Sequence, residues 1–399
     1  MTKLDRRDVK SPAQHGANQQ GMRERNERLA LTLLRRSPGL AKAELARRTG
    51  LSAQTVSRLI GALEADGLIL RGDPQRGRVG QPSIPLALDP EGAFFLGLKV
   101  GRRSVELVAT DFLGRIVDRE KRIYEYPAFD DVLQFSRQAI DTIRARLGPD
   151  RSGRISGLGI AMPFHLWGWA QRIGVSPDRM ADWKVRDLEA ELAKHVALPI
   201  FLQNDATAAC SAELVFGGVA LPANFASFYV AFFIGGGLVL RGSLFTGPHG
   251  NAAGLGPLTV PDRNGTVRHL IDLASLSTLE ASLIAQGIDP QQIWIEPEGW
   301  DIPEDVIEDW LAEAAHALAQ AVRSAQTILD LDAFLIDGWL PARLRADLVT
   351  RIRAELESLD MTGIYTPEIL VGTTGADARS LGAASLPLSA RFLVEASKQ

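Results

Sequence analysis

A chain of 399 residues is too long for one ordinary core and suits two or three domains. Its 46% hydrophobic and 23% charged residues are globular proportions with no apolar run of the roughly 18 residues a membrane span needs, and its single cysteine, Cys210, excludes an intramolecular disulfide or a cysteine-cluster zinc site and fits a reducing cytoplasm. The net charge of −4 conceals a surplus of +7 in residues 1–90, where 16 Lys and Arg face 9 Asp and Glu, against −11 in the rest, as expected if one end neutralises nucleic-acid phosphates.

Residues 1–20 are polar and mixed in charge, with no apolar stretch, and read as a disordered arm instead of a secretory signal. A winged helix-turn-helix is predicted over 21–90. Leu29, Ala30, Leu33 and Leu34 recur at helical spacing from Asn26 to Leu34, and Ser37-Pro38-Gly39 stops that helix. A second helix, Lys42 to Arg48, ends at Thr49-Gly50, and Ser52 is placed to cap a third, from about Ala53 to Asp66. Ala46, Leu51, Val56 and Leu59 are the expected shared core.

Gln54, Thr55, Ser57 and Arg58 would then face outward, with side chains suited to base edges and phosphates, which makes the third helix the candidate recognition helix. A strand follows Gly67, and Arg71 to Pro82 reads as a turn-rich wing in which Arg76, Arg78 and Gln81 are candidate DNA contacts. Glycines there let arginines approach a duplex, and arginine suits a narrow minor groove. A polar face alone would mean only solvation; helix, turn, helix and basic wing together point to DNA.

Beyond Pro90 the pattern changes to strand candidates at Phe94–Val100, Val105–Asp111 and from Ile116, then a helix near Val132 to Leu147. A similar opening recurs at Phe225–Val230, Ala231–Ile234, Leu238–Leu240 and Leu244-Phe245, with helices expected from there to the end. The expectation is two α/β lobes facing a cleft, 91–212 and 213–399, with the C-terminal helix returning to the first. The loop Pro163-Phe164-His165-Leu166-Trp167-Gly168-Trp169 follows a core strand, and its rings suit either ligand stacking or packing.

The helix-turn-helix with its Gly/Arg-rich wing, the segment Gly157–Pro163, the run Leu198–Ala209 around Asn204-Asp205, and the glycine segment Ile234–Pro257 together resemble the ROK family of repressors, open reading frames and sugar kinases. The resemblance implies an actin-like ATPase, sugar-kinase-like fold after the winged helix. It also exposes four departures from the kinases. Lys99-Val100-Gly101-Arg102-Arg103-Ser104 stands where an acidic residue, glycines and a threonine are expected to receive phosphates. Ala231, Phe232 and Phe233 replace the glycines of the second phosphate loop. Gly254-Leu255-Gly256-Pro257 replaces a Glu-x-Gly-His segment, and the zinc cysteines are missing.

Asp205 matches the kinases' general base, but a base without a phosphoryl donor has nothing to transfer, so it is expected to accept ligand hydrogen bonds. By the same resemblance Asn204 and Glu280 are candidate sugar ligands, and His249 and Asn251, on the nearby loop, could replace lost polar contacts. What is implied is a regulator, most simply a repressor of carbohydrate genes, with operator DNA and a sugar effector as partners, working as a homodimer or homotetramer. No catalytic residue, metal or cofactor is expected. The alternatives are an active sugar kinase fused to a DNA-binding domain, and a regulator answering to a protein partner.

Overall fold

The structure is a computed structural model that describes residues 19–74, 83–218 and 220–394. Arg76, Arg78, Gln81 and nearly all of the N-terminal arm lie outside the described residues. Residues up to Ala87, together with Phe392–Val394, group as one compact unit, and Leu88–Arg391 as another.

The first unit contains α1 (Gln19–Arg36), α2 (Lys42–Thr49), α3 (Ala53–Ala65) and the paired short strands β1 (Ile69–Arg71) and β2 (Leu86–Leu88). Gly50 ends α2 in the left-handed conformation at φ 69°, which a residue with a Cβ rarely adopts. Ser52 caps α3, its Oγ accepting from Thr55 N–H at 3.2 Å. The core is Ala30, Leu31 and Leu34 of α1 against Leu45, Val56, Leu59, Ile60 and Leu63. Ala46 and Leu51, expected in that core, are only half-buried, because α1 supplies the third side that a bare helix-turn-helix lacks.

The second unit opens with β3 (Phe94–Val100), β4 (Ser104–Thr110), β5 (Ile116–Ile123), α4 (Phe129–Ser152, broken at Gly148), β6 (Ile155–Ala161), α5 (Asp182–Val185), α6 (Leu188–Ala193), β7 (Ile200–Gln203) and α7 (Asp205–Phe216). Then come β8 (Phe225–Val230), β9 (Gly235–Leu240), β10 (Ser243–Leu244), β11 (Thr259–Pro261), β12 (Val267–His269), α8 (Leu276–Ala285), α9 (Gln292–Ile295) and α10 (Glu304–Leu329). It closes with β13 (Ala333–Gly338), α11 (Ala342–Ser358), β14 (Glu368–Val371) and α12 (Ala378–Phe392).

The two large sheets have one plan. Their orders are β5-β4-β3-β6-β7 and β10-β9-β8-β13-β14, each with three antiparallel strands followed by two parallel ones. Strands β13 and β14 correct the expectation of helices to the end: without them the second sheet would lack its parallel half. Residues alternate faces along a strand. Phe94, Leu96 and Leu98 of β3 join the core beneath α4, where Val132, Phe135 and Ile140 pack. Gly97 turns to the opposite face, where a Cβ would overlap the Ser380 carbonyl oxygen of α12, and one at Gly159 would overlap that of Ala383. The C-terminal helix therefore lies directly on the backbone of the first sheet.

Ala231–Ile234, read from sequence as a strand, is the turn between β8 and β9. The strand resumes at Gly235 because α7 presses on it: a Cβ at Gly235 would stand 2.7 Å from Ala206 Cβ, so the glycines belong in the strand and the bulky residues in the turn. Among the described residues no helix is long and apolar enough to cross a membrane.

Candidate functional site

In the first unit, Gln54, Ser57 and Arg58 of α3 are exposed. Arg58 forms no hydrogen bond or ion pair among the described residues, so its guanidinium is available. Thr55 differs from its three neighbours. It is half-buried, and its hydroxyl lies 2.9 Å from Ser52 Oγ, so it completes the cap of α3.

In the second unit a cavity of about 920 Å³ is lined by the β3–β4 turn, the Pro163–Ile173 loop, the β7–α7 junction, the β8–β9 turn, the His249–Pro257 loop and α12. Asn204, Asp205, His249 and Asn251 all line it. Asn204 is the N-cap of α7, and its Oδ1 accepts from Ala206 N–H at 3.1 Å and Thr207 N–H at 3.3 Å. That leaves its amide N–H groups for a ligand. Asp205, at the first turn of α7, has a side chain 18% exposed, with Oδ2 3.4 Å from Arg379 Nη1 of α12. A carboxylate held there at a helix N-terminus is stabilised as an acceptor.

Glu280, expected to contact the ligand, does not line the cavity. Its Oε1 accepts from Arg103 Nη2 at 2.9 Å, and Arg102 Nη1 lies 3.8 Å from Oε2. The Arg102 guanidinium in turn stacks over the Phe232 ring, 3.4 Å from its centroid. Burial and the neighbouring Arg103 pull Arg102 down to about 10, with Glu280 opposing. α8, which carries Glu280, is fastened to the β8–β9 turn by Leu276 N–H to Ala231 O at 2.9 Å and Ser277 N–H to Phe232 O at 3.1 Å. The two turns that stand in for phosphate loops are thus joined to each other through Arg102, Phe232, Arg103 and Glu280.

An aromatic wall continues from Phe232. Phe233 meets it edge-on at 4.5 Å, Trp169 packs on Phe233 at 4.8 Å, and Trp294 packs on Phe232 at 5.5 Å between centroids. The sequence left the Pro163–Trp169 cluster open between packing and ligand contact, and the structure divides it. Trp169 and His165 line the cavity, whereas Trp167 packs against the first core.

Sequence reasoning missed the cavity's basic floor. Lys99, on the α12 side of β3, is 2% exposed; Lys121 of β5, Arg379 and Trp339 stand beside it in the cavity lining. The register places Lys99 opposite Glu106 and Glu106 opposite Lys121. Lys99 was legible only as a departure from an acidic motif; a charged side chain inside an otherwise apolar strand was the signal available. Arg379 gave none of its own: the C-terminal helix was expected to return to the first lobe, but nothing in the sequence said which of its residues would reach the cavity.

The family model described as the ROK family matches residues 95–390, and one described as the MarR family matches residues 24–78. The chain belongs to the ROK family. Its architecture is a MarR-type winged helix followed by the actin-like ROK fold. The chain is 28% identical over 375 residues to the uncharacterized protein y4fQ of Sinorhizobium fredii, covering 93% of this chain and 92% of that one. It is 24% identical over 249 residues to the xylose repressor of Bacillus subtilis, covering 62% of this chain and 64% of the repressor. The crystal structure of a ROK family transcriptional regulator, described as a homolog of the E. coli MLC protein, superposes with a TM-score of 0.66 at 19% identity, over 93% of this chain and 97% of that one. The chain is also 30% identical over 207 residues to the N-acetylmannosamine kinase of Haemophilus influenzae, covering 49% of this chain and 66% of the kinase, and a ROK hexokinase from Thermus thermophilus superposes with a TM-score of 0.52 at 21% identity, over 73% of this chain and 97% of that one.

Proposed function

We propose that the protein is a DNA-binding transcriptional regulator, a repressor of carbohydrate-metabolism genes, whose ROK body senses a sugar or sugar derivative in a cleft that no longer serves phosphoryl transfer. The observation that carries this reading is the union of a winged helix bearing an exposed α3 with a ROK domain in one chain. The similarity to a xylose repressor supports it. Gln54, Ser57 and Arg58 are assigned to operator bases and phosphates, with Thr55 positioning the helix. Arg76, Arg78 and Gln81 are assigned to the wing's contacts. Asn204, Asp205, His249 and Asn251 are assigned to the effector, with Glu280 acting one step back through Arg102 and Arg103.

A cavity of this size, with an aromatic wall on one side and amide and carboxylate groups on the other, suits a sugar, whose hydroxyls both donate and accept while its C–H faces stack on rings. Arg102 stacked on Phe232 occupies the space between the two turns that phosphate chemistry would need open, which supports a sensor over a kinase. Such a regulator works in the cytoplasm beside its operator, as a symmetric oligomer.

Titrating the full-length protein onto DNA from its own upstream region, with and without a panel of sugars, tests the reading; a coupled ATPase assay is run in parallel. Sequence-specific DNA binding altered by a sugar, with no turnover of ATP, is the expected result. Sugar-dependent ATP consumption would establish the fused kinase instead.

A further inference from the structure

Lys99 presents a problem that a sugar made only of hydroxyls does not solve. Its side chain is 2% exposed, and its ammonium makes no hydrogen bond or ion pair with any described residue. Burying a charge without a partner is costly, and folded proteins avoid it. The nearest counter-charges, Glu106 and Asp205, act on it through space, while their hydrogen bonds and ion pairs go to other groups. Glu106, across the ladder, is bound by Ser380 Oγ and by Arg119 Nη1 at 3.3 Å, and Asp205 is taken by Arg379. Lys121, beyond Glu106 on the same sheet, is likewise unpaired among the described residues.

Both ammonium groups stand by the Trp339 ring, Lys99 Nζ at 5.9 Å and Lys121 Nζ at 5.2 Å from its centroid, and both line the cavity. Nearby, Arg102 Nε is buried with no acceptor. The cavity lining therefore carries two chemistries. Asn204, Asp205, His249 and Asn251 supply amide, carboxylate and imidazole groups fit for hydroxyls. Lys99 and Lys121 supply two ammonium groups that form no ion pair with a described residue, with Glu106 between them across the ladder.

We propose that the effector is an anionic sugar derivative, carrying a carboxylate or a phosphate, whose charged group is held by Lys99 and Lys121 while its ring hydroxyls meet Asn204 and Asp205. This deepens the sugar-sensor reading and rests on it. A compact ammonium is a point charge that takes a carboxylate or a phosphate without demanding two-pronged geometry, so the two chemistries share the site. An oxygen anion between the two lysines would give Lys99 the partner that the fold withholds.

The test is calorimetry on the full-length protein with paired ligands: pentoses and hexoses, the uronic acid of each hexose, the terminal phosphate of each sugar, and inorganic phosphate alone. Each acid is compared with its own neutral parent, so ring stereochemistry cancels. The expected result is that an acidic member binds at least about tenfold more tightly than its parent, with affinity falling as salt rises. Lys99→Met, which exchanges a buried charge for an apolar chain of similar reach, should reduce that preference by roughly ten- to a hundredfold. Lys121→Gln, at an exposed position, should reduce it in the same direction. Uronates and phosphates in separate arms decide which anion the site takes. Neutral parents binding as tightly as their acids, or a preference unchanged in Lys99→Met, would overturn the anion site and leave the sugar sensor standing. If no member of the panel, acidic or neutral, binds or alters operator affinity, both readings fall together.

Discussion

Burial brings the Lys99 ammonium from its ordinary 10.5 down to about 7, with Arg379 and Lys121 repelling the proton and Glu106 and Asp205 retaining it. Between those two values the unfolded chain holds a proton that the folded chain has released, so stability rises with pH across that interval, and the penalty is full below about pH 7. Lys99→Met removes the penalty. The variant should be more stable than wild type by on the order of a few kcal/mol near pH 6, with the gap closing toward pH 10, as read by denaturant melts across that range. Asp205→Asn acts on the proposed hydroxyl contacts of the same cavity. A carboxylate accepts from two hydroxyls, whereas an amide offers one acceptor oxygen, and the mispairing costs about 1–3 kcal/mol. The concentration of the proposed effector that half-changes operator binding should rise roughly ten- to a hundredfold in a gel-shift titration.

At the scale of elements, α3 shows how much of this chain can be read in advance. Ser52 and Gly67 mark its ends because capping and left-handed turns are local chemistry, and helical period places Gln54, Ser57 and Arg58 outward, Thr55 being drawn into the cap instead. Its buried face follows as well, Val56 and Leu59 being buried as expected, but what closes the core opposite them is α1, not the turn at Leu51. If Arg58 contacts the operator as assigned, Arg58→Ala should weaken binding. Loss of a base contact would also relax sequence preference, and loss of a phosphate contact would lower the salt slope by about one, which anisotropy titrations at several salt concentrations distinguish. The β8–β9 turn shows the opposite limit. Ala231–Ile234 is apolar enough to pass for a strand, and only the closeness of α7 to Gly235 and Gly237, a tertiary fact, assigns strand to the glycines. The same holds for the cleft. Asn204-Asp205 announces itself as a strand-to-helix junction, whereas Arg379 is brought there by a helix from the far end of the chain.

At the scale of the whole molecule, the proposed recognition helix of 13 residues would offer few base contacts, and modules of this kind reach useful specificity by binding in symmetric pairs. Sedimentation of the pure protein should give a dimer or tetramer, and footprinting should give a two-fold site; a monomer on a single half-site would contradict the assignment. The repeated sheet plan was visible in the sequence as two strand-rich openings, but the parallel half of the second sheet was hidden among long helices.

The bare-backbone seat of α12 on the first sheet has a genetic consequence. Gly157, Gly159 and Gly97 leave no room for one added methyl; at Gly157 the nearest atom would be Pro387 Cβ at 2.6 Å. None of them lines the cavity, yet the helix they seat carries Arg379, which holds Asp205. If the body is the sugar sensor of a repressor, as proposed, a screen for alleles that keep target genes silent despite inducer should recover changes at these glycines as well as in the cleft. Noninducible alleles mapped by position alone would then mark a sheet surface outside the cavity lining as part of the sensor.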